Sequence, residues 1–166
     1  MKRLRKTLTV LLPALVAAAA AAQPAAVPQL PQYAKTLQEL SAIAPTGGAG
    51  GSGNSKVRVV TILGDPSKPG PYSQLLEVAP HASIAAHHHD GDRVGTVLSG
   101  TWHFGYGRDF DAAKLRVLPP GSVYTEPADA PHFAMTADEA VTVLVTGYGP
   151  TSTVYENPAD DPAGKR

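Results

Sequence analysis

From Val57 onward the chain is written in short apolar runs, among them VRVVTIL, YSQLLEVA, KLRVLPPGS and VTVLVTGYG, each stopped by Gly, Pro, Asp or Ser. Runs of roughly four to eight residues rich in Val, Ile, Thr and Tyr suit half-buried strands, because branched and aromatic side chains pack well on a pleated surface. The stretch VGTVLSGTWHFGYG reads as two such runs separated by Ser99-Gly100, and Pro119-Pro120-Gly121 marks another turn. No helix-length periodicity intervenes, so the expectation is an all-β fold, an antiparallel sandwich or barrel. The 16 Gly and 16 Pro among 166 residues point the same way, since they interrupt the chain too often for a helical bundle.

One globular domain is expected at this length, taking roughly 100 to 200 residues per domain. Its ends differ in composition. Lys2, Arg3, Arg5 and Lys6 precede an apolar stretch from Leu8 to Ala22, the charged head and short apolar body of a secretory signal, with Ala20-Ala21-Ala22 as cleavage site. Residues 1–22 are therefore expected to be removed, leaving a mature chain that begins near Gln23 and works in the periplasm or outside the cell. A retained membrane anchor is the competing reading, but the run falls short of the ~20 apolar residues of a spanning helix and contains Pro13. Residues 23–54 are Pro/Gly-rich. They hold a short helix within Tyr33–Ile43, marked by Leu37, Leu40 and Ile43, and then a linker, TGGAGGSGN, that should contribute little to the barrel. Those glycines do not cradle phosphate, for no strand leads in and no Gly-Lys-Ser/Thr follows. Residues 55–157 then form the barrel and 158–166 a surface tail.

Cysteine is absent, which removes disulfides, thiolate metal sites and a cysteine nucleophile. Any metal must rest on His, Asp or Glu. Acidic and basic side chains balance at fourteen each, but beyond Lys6 the chain carries ten basic against fourteen acidic residues, a net −4. Without a basic cluster there is no footprint for nucleic acid, and small-molecule chemistry leads.

Four of the six histidines, His81, His87, His88 and His89, lie within nine residues; His103 and His132 complete the set. On a strand His87 and His89 share a face and His88 takes the other. Two imidazoles on one face can chelate, and a third from a distant strand would close a facial set with open positions for water or substrate. A solvated histidine run at a strand edge is the alternative.

The surrounding spacing resembles the two motifs of the cupin superfamily. The first, Gly, five residues, His-x-His, three or four residues, Glu, six residues, Gly, reads here as His81, five residues, His87-His88-His89, three residues, Arg93, six residues, Gly100. The second, Gly, five residues, Pro-x-Gly, two residues, His, three residues, Asn, reads as Gly121, SVYTE, Pro127-Ala128-Asp129, Ala130-Pro131, His132, with Thr136 in the Asn position. The resemblance runs from about Val57 to Asn157 and implies a small antiparallel jelly-roll barrel in which His87, His89 and His132 hold one divalent metal ion. Iron or zinc suits three imidazoles better than manganese.

Arg93 stands where the family carries a metal-binding Glu. Asp90 or Asp92 could swing in to replace that ligand, or the barrel has lost its metal and Arg93 occupies the space. If Arg93 faces the site, its planar fork suits a substrate carboxylate; the alternative is a rim position paired with Asp90 or Asp92. His103, Tyr106 and Tyr124 could act as acid, base or orienting group if they face inward, and His103 and Tyr124 are the catalytic candidates. His103 is favoured because Trp102 and Phe104 share the opposite face of its strand. His81 and His88 are expected outside the site. The function expected is an exported single-domain cupin acting on a small anionic molecule as an oxygenase, isomerase or lyase. A non-catalytic metal- or ligand-binding barrel is the rival, and a structural oligomer with an empty barrel a third reading. Exposed sheet edges are compatible with a homodimer.

Overall fold

A computed structural model describes residues 30–165, so the signal-like segment lies outside the described residues. The elements below all belong to the unit that begins at Gln32. A single α-helix, α1 (Leu37–Ser41), opens it, closed by a capping box in which the Thr36 side chain accepts from the Glu39 backbone and Glu39 reaches back to Thr36. This is the sequence-predicted helix in shortened form: it ends at Ser41 with Ala42 as its C-cap, so Ile43 lies just beyond it.

Ten strands follow: β1 (Val57–Leu63), β2 (Gly70–Val78), β3 (Ser83–His88), β4 (Arg93–Ser99), β5 (Trp102–Tyr106), β6 (Arg116–Leu118), β7 (Val123–Glu126), β8 (His132–Met135), β9 (Val141–Gly149) and β10 (Val154–Tyr155). They form two five-stranded antiparallel sheets in the orders β1-β2-β9-β4-β7 and β10-β3-β8-β5-β6. Strand alternation turns Val141, Val143 and Val145 of β9 into the interior, where they meet Val78, Ile84, Val97, Trp102, Phe104 and Ala134. Each such valine contributes roughly 1.5 to 3 kcal/mol of burial.

The motif turns explain two departures from the cupin pattern. His81 and Asp129 occupy positions where the motifs carry glycine, and both adopt left-handed backbone, with φ of 55° and 58°. Asp is one of the residues that tolerates this region; His81 holds it with its N–H donating to the Ala137 carbonyl (2.8 Å).

The segment TGGAGGSGN departs from the linker reading. Thr46 donates its N–H to the Val59 carbonyl (2.9 Å), and its hydroxyl accepts from the Thr61 N–H (2.8 Å). Asn54 donates to the Ser83 carbonyl (2.8 Å), and the Tyr155 hydroxyl donates to the carbonyl of Ser52. A strap with almost no side chains thus lies against the barrel, anchored by backbone groups and by the polar side chains of Thr46 and Asn54, which apolar patterning cannot register. At Gly50 a Cβ would stand 2.7 Å from the Thr151 methyl and 3.2 Å from an Arg93 nitrogen, so the close approach itself requires glycine.

Candidate metal centre

β3 alone would not present its histidines correctly. Strict alternation from the inward Ile84 would turn Ala86 and His88 inward, but the pairing with β8 slips between Ile84↔Ala134 and His87↔His132, three residues advancing against two. This bulge moves His87 onto the inner face, opposite His132. His89, just beyond the strand end, follows onto the same face. His88 turns away, with its Nδ1 2.6 Å from Glu156.

The ligand atoms of His87, His89 and His132 all lie within 4.8 Å of one another, and the rings are 5% exposed or less. Each Nδ1 faces a backbone carbonyl: that of Ala85 for His87 (2.8 Å), Ser152 for His89 (2.7 Å) and Ala130 for His132 (3.1 Å). Those contacts hold the proton on Nδ1 and leave each Nε2 an acceptor, the ring arrangement a metal ligand requires. The Nε2 atoms of His89 and His132 are buried without a partner. Burial pushes all three imidazoles down, His87 to about 4, so they are neutral and ready to ligate at neutral pH. Bonds of about 2.1 Å hold neighbouring ligand nitrogens of a tetrahedral site about 3.4 Å apart, so nitrogens that lie within 4.8 Å of one another must close by up to about an ångström or somewhat more to share one ion. Three buried histidines here could hold a metal ion.

Arg93 lies on β4 directly opposite Glu126 of β7. It is 4% exposed and neither reaches solvent nor pairs with Asp90 or Asp92. Its Nε and one terminal nitrogen both donate to Glu126 Oε2 (2.5 Å each), and the other terminal nitrogen donates to the Gly50 carbonyl (2.6 Å). The carboxylate that sequence reasoning sought from a substrate is supplied by the protein. Glu126 Oε2 also lies 3.6 Å from His89 Nε2 and 3.7 Å from His132 Nε2. Burial alone would push the Glu126 carboxyl up, but the Arg93 guanidinium outweighs it and holds it ionised, well below the usual carboxylate range. The two nearby aspartates are occupied elsewhere. Asp90 accepts from the Ser152 N–H (2.6 Å) and Asp92 from the Ala128 N–H (2.8 Å).

Glu126 is the residue that sequence reasoning missed. It stands inside the quoted SVYTE, two residues from Tyr124, so the alternation that turned Tyr124 inward also turned Glu126 inward. Tyr124 is indeed buried, its ring 4.2 Å from Phe104 and lying over Gly95, where a Cβ would come within 2.2 Å. Burial pushes its phenol well up, which keeps it protonated. Tyr72 lies over Gly147 in the same way, and its buried hydroxyl has no partner.

His103 stands apart from this cluster. Phe104 stacks 5.4 Å from His132, which makes the aromatic face of β5 the inner face and puts His103 on the outer one, opposite Val117 and Met135. The catalytic expectation for His103 assumed that packing aromatics and site-facing residues occupy different faces; in a barrel they share one. Tyr106 shares that face too, and its hydroxyl donates to the Thr125 carbonyl of β7 (2.6 Å). Between the edge strands β6 and β7 opens a cavity of about 300 Å³, floored by Phe104 and Tyr124 and flanked by Lys114 and Arg116. Arg116 pairs in register with Phe104, so it belongs to the inner face. Thr136, in the second motif's Asn position, is structural: its hydroxyl accepts from the Ala82 N–H and donates to the Ala79 carbonyl.

Two antiparallel sheets closed around inward histidines at these positions define a cupin barrel, the double-stranded β-helix, and this chain has that fold. Solved structures similar to it include the polyketide cyclase RemF of Streptomyces resistomycificus, with a TM-score of 0.52 and 21% identity over 66% of this chain and 78% of that one. The DMSP lyase DddQ of Ruegeria pomeroyi gives 0.52 and 20% over 74% of this chain and 59% of that one. Salicylate 1,2-dioxygenase of Pseudoaminobacter salicylatoxidans gives 0.52 and 13% over 63% of this chain and 30% of that one. At such identities the likeness is one of fold. No protein-family model and no curated protein matches the chain.

Proposed function

We propose that this chain is an exported cupin barrel that holds one divalent metal ion on His87, His89 and His132 and acts on a small anionic organic molecule. The observation that carries the reading is the convergence of three imidazoles whose Nδ1 atoms are tied to backbone carbonyls while two of their Nε2 atoms are buried without a partner. Iron or zinc suits such nitrogen donors. Bound there, the ion would supply Lewis acidity or, for iron, oxygen activation. Oxygenase, isomerase and lyase chemistry all remain open to such a site. RemF is a cyclase, DddQ a lyase and the third structure a dioxygenase, so the fold does not choose among them.

Support for an anionic substrate comes from β6. Arg116 is a cation on the inner face of its sheet, at the mouth of a cavity with an aromatic floor one ring from His132. A carboxylate on an apolar or aromatic body matches those walls. Export is supported by the first 22 residues alone, and intact-mass measurement on secreted material would show a chain beginning near Gln23. A non-catalytic metal-binding barrel is the second reading, favoured by the near-complete burial of all three imidazoles.

Elemental analysis of protein purified without an affinity tag tests the core of the proposal. About one equivalent of a first-row transition metal per chain, lost in a His87→Ala/His132→Ala variant that remains folded, is the expected result. A folded, metal-free protein that takes up no ion on dialysis against Fe²⁺ or Zn²⁺ would refute it.

A further inference from the structure

We infer that Glu126 is the fourth ligand of the metal site, a carboxylate delivered from β7 where the first motif has Arg93, and that Arg93 is its positioning residue. This rests on the metal-binding reading above and deepens it.

The argument begins with donors and acceptors. Each imidazole spends its N–H on a backbone carbonyl, so every Nε2 turned inward is an acceptor, and an ionised carboxylate accepts only. Glu126 Oε2 stands 3.6 and 3.7 Å from two of those nitrogens. At that separation there is no hydrogen bond, and neither side has a proton to offer. Four acceptors therefore face one another inside a buried site, an arrangement that repels itself until a cation stands between them.

The distances fit an ion without further movement of Glu126. Bonds of about 2.0 to 2.2 Å in a tetrahedral site hold neighbouring ligand atoms about 3.4 Å apart, close to the two separations observed. Charge leads to the same place. Arg93 beside a divalent ion and three neutral rings would leave three uncompensated positive charges; Glu126 removes one and turns the guanidinium from a competitor of the ion into a clamp on its ligand. The register explains how the exchange is possible: Arg93 and Glu126 are direct partners across β4 and β7, so the carboxylate arrives on the neighbouring strand at the same level of the barrel. No other carboxylate competes, since Asp90 and Asp92 are engaged by backbone N–H groups.

The test uses protein stripped with a chelator and reloaded with Co²⁺ as sole probe, read by calorimetric titration and by visible absorption of the bound ion, with circular dichroism confirming the fold. Wild type binds one Co²⁺. Glu126→Gln weakens Co²⁺ by at least about 100-fold and shifts its visible bands, because a ligand is lost, whereas outer groups alone cost roughly 10- to 100-fold. Glu126→Asp keeps the charge opposite Arg93, safeguards folding if the Gln variant is unstable, and still weakens Co²⁺ by more than about tenfold because its oxygen is withdrawn. The Arg93→Gln/Glu126→Gln double variant does not recover wild-type affinity or bands. Wild-type Co²⁺ affinity and spectrum in either single Glu126 variant, or full recovery in the double variant, would overturn the inference and reduce Glu126 to a counter-charge. If wild type itself binds no Co²⁺, the metal-site reading fails instead.

Discussion

Replacing Arg93 by Met isolates what a buried charge pair does for this barrel. The methionine keeps most of the side-chain volume but removes both guanidinium donors to Glu126, leaving a carboxylate 4% exposed without its cation partner and with two imidazole acceptors beside it. Breaking a buried pair by removing one member costs about 3 to 5 kcal/mol, because the survivor's desolvation is no longer offset. The Gly50 carbonyl also loses its donor, which adds about 1 kcal/mol or more and loosens the strap. In metal-stripped protein at pH 7 the expected loss is therefore roughly 4 to 6 kcal/mol, read as a fall in urea midpoint. The loss shrinks with acid. In wild type the Glu126 carboxyl is lowered, so its contribution is present above the unfolded value near 4.3 and is lost as pH falls through the folded value. In the variant the same carboxyl is raised, so the penalty shrinks as protonation neutralises it, and the gap between the two proteins narrows between pH 7 and pH 4. An Arg93→Met/Glu126→Met double variant should recover most of the loss. A single-variant cost below about 1 kcal/mol, or one that does not change with pH, would refute the buried-pair argument.

Three further outcomes are expected. His81→Gly should raise stability by up to about 1 kcal/mol in urea titration, since glycine relieves a left-handed φ of 55° at an exposed turn; destabilisation would mean that the imidazole itself matters there. Stripped wild type should lose stability as pH falls from about 6.5 towards 4, because burial lowers all three site imidazoles and the unfolded chain takes up protons that the folded one refuses, at about 1.4 kcal/mol per unit for each ring. A flat urea midpoint between pH 7 and pH 5 would contradict that. Arg116→Gln should weaken benzoate binding, followed by NMR titration, by about fivefold, the discounted worth of an exposed ion pair; an unchanged affinity would place the anion elsewhere.

What could be read before any fold was known is specific. Short apolar runs became β1, β2, β4 and β9, with burial alternating along β4 and β9, because apolar periodicity is a local property that packing seldom overrules. The histidine triad that could hold a metal ion was legible through motif spacing, although the plain alternation argument succeeded only because a bulge in β3 brought His87 onto the face that an unbroken strand would have given to His88.

What only the tertiary structure decided involves partners distant in sequence. Arg93 and Glu126 are 33 residues apart, and their pairing depends on β4 lying beside β7, an adjacency that no local pattern encodes. His103 was turned the wrong way by treating core and site as separate faces, whereas barrel closure merges them: Phe104 packs the core and stacks on His132 at once. The glycine strap has no apolar side chain to betray it. Its anchoring to Val59 and Arg93 runs through backbone atoms, which every residue carries and which composition therefore cannot distinguish from a free linker, whereas the bond to Ser83 uses a side chain, that of Asn54. Local chemistry thus determined which segments become strands and which histidines can share a face, while the closure of the two sheets decided which charges meet inside, because electrostatic partners in a buried site are chosen by strand order.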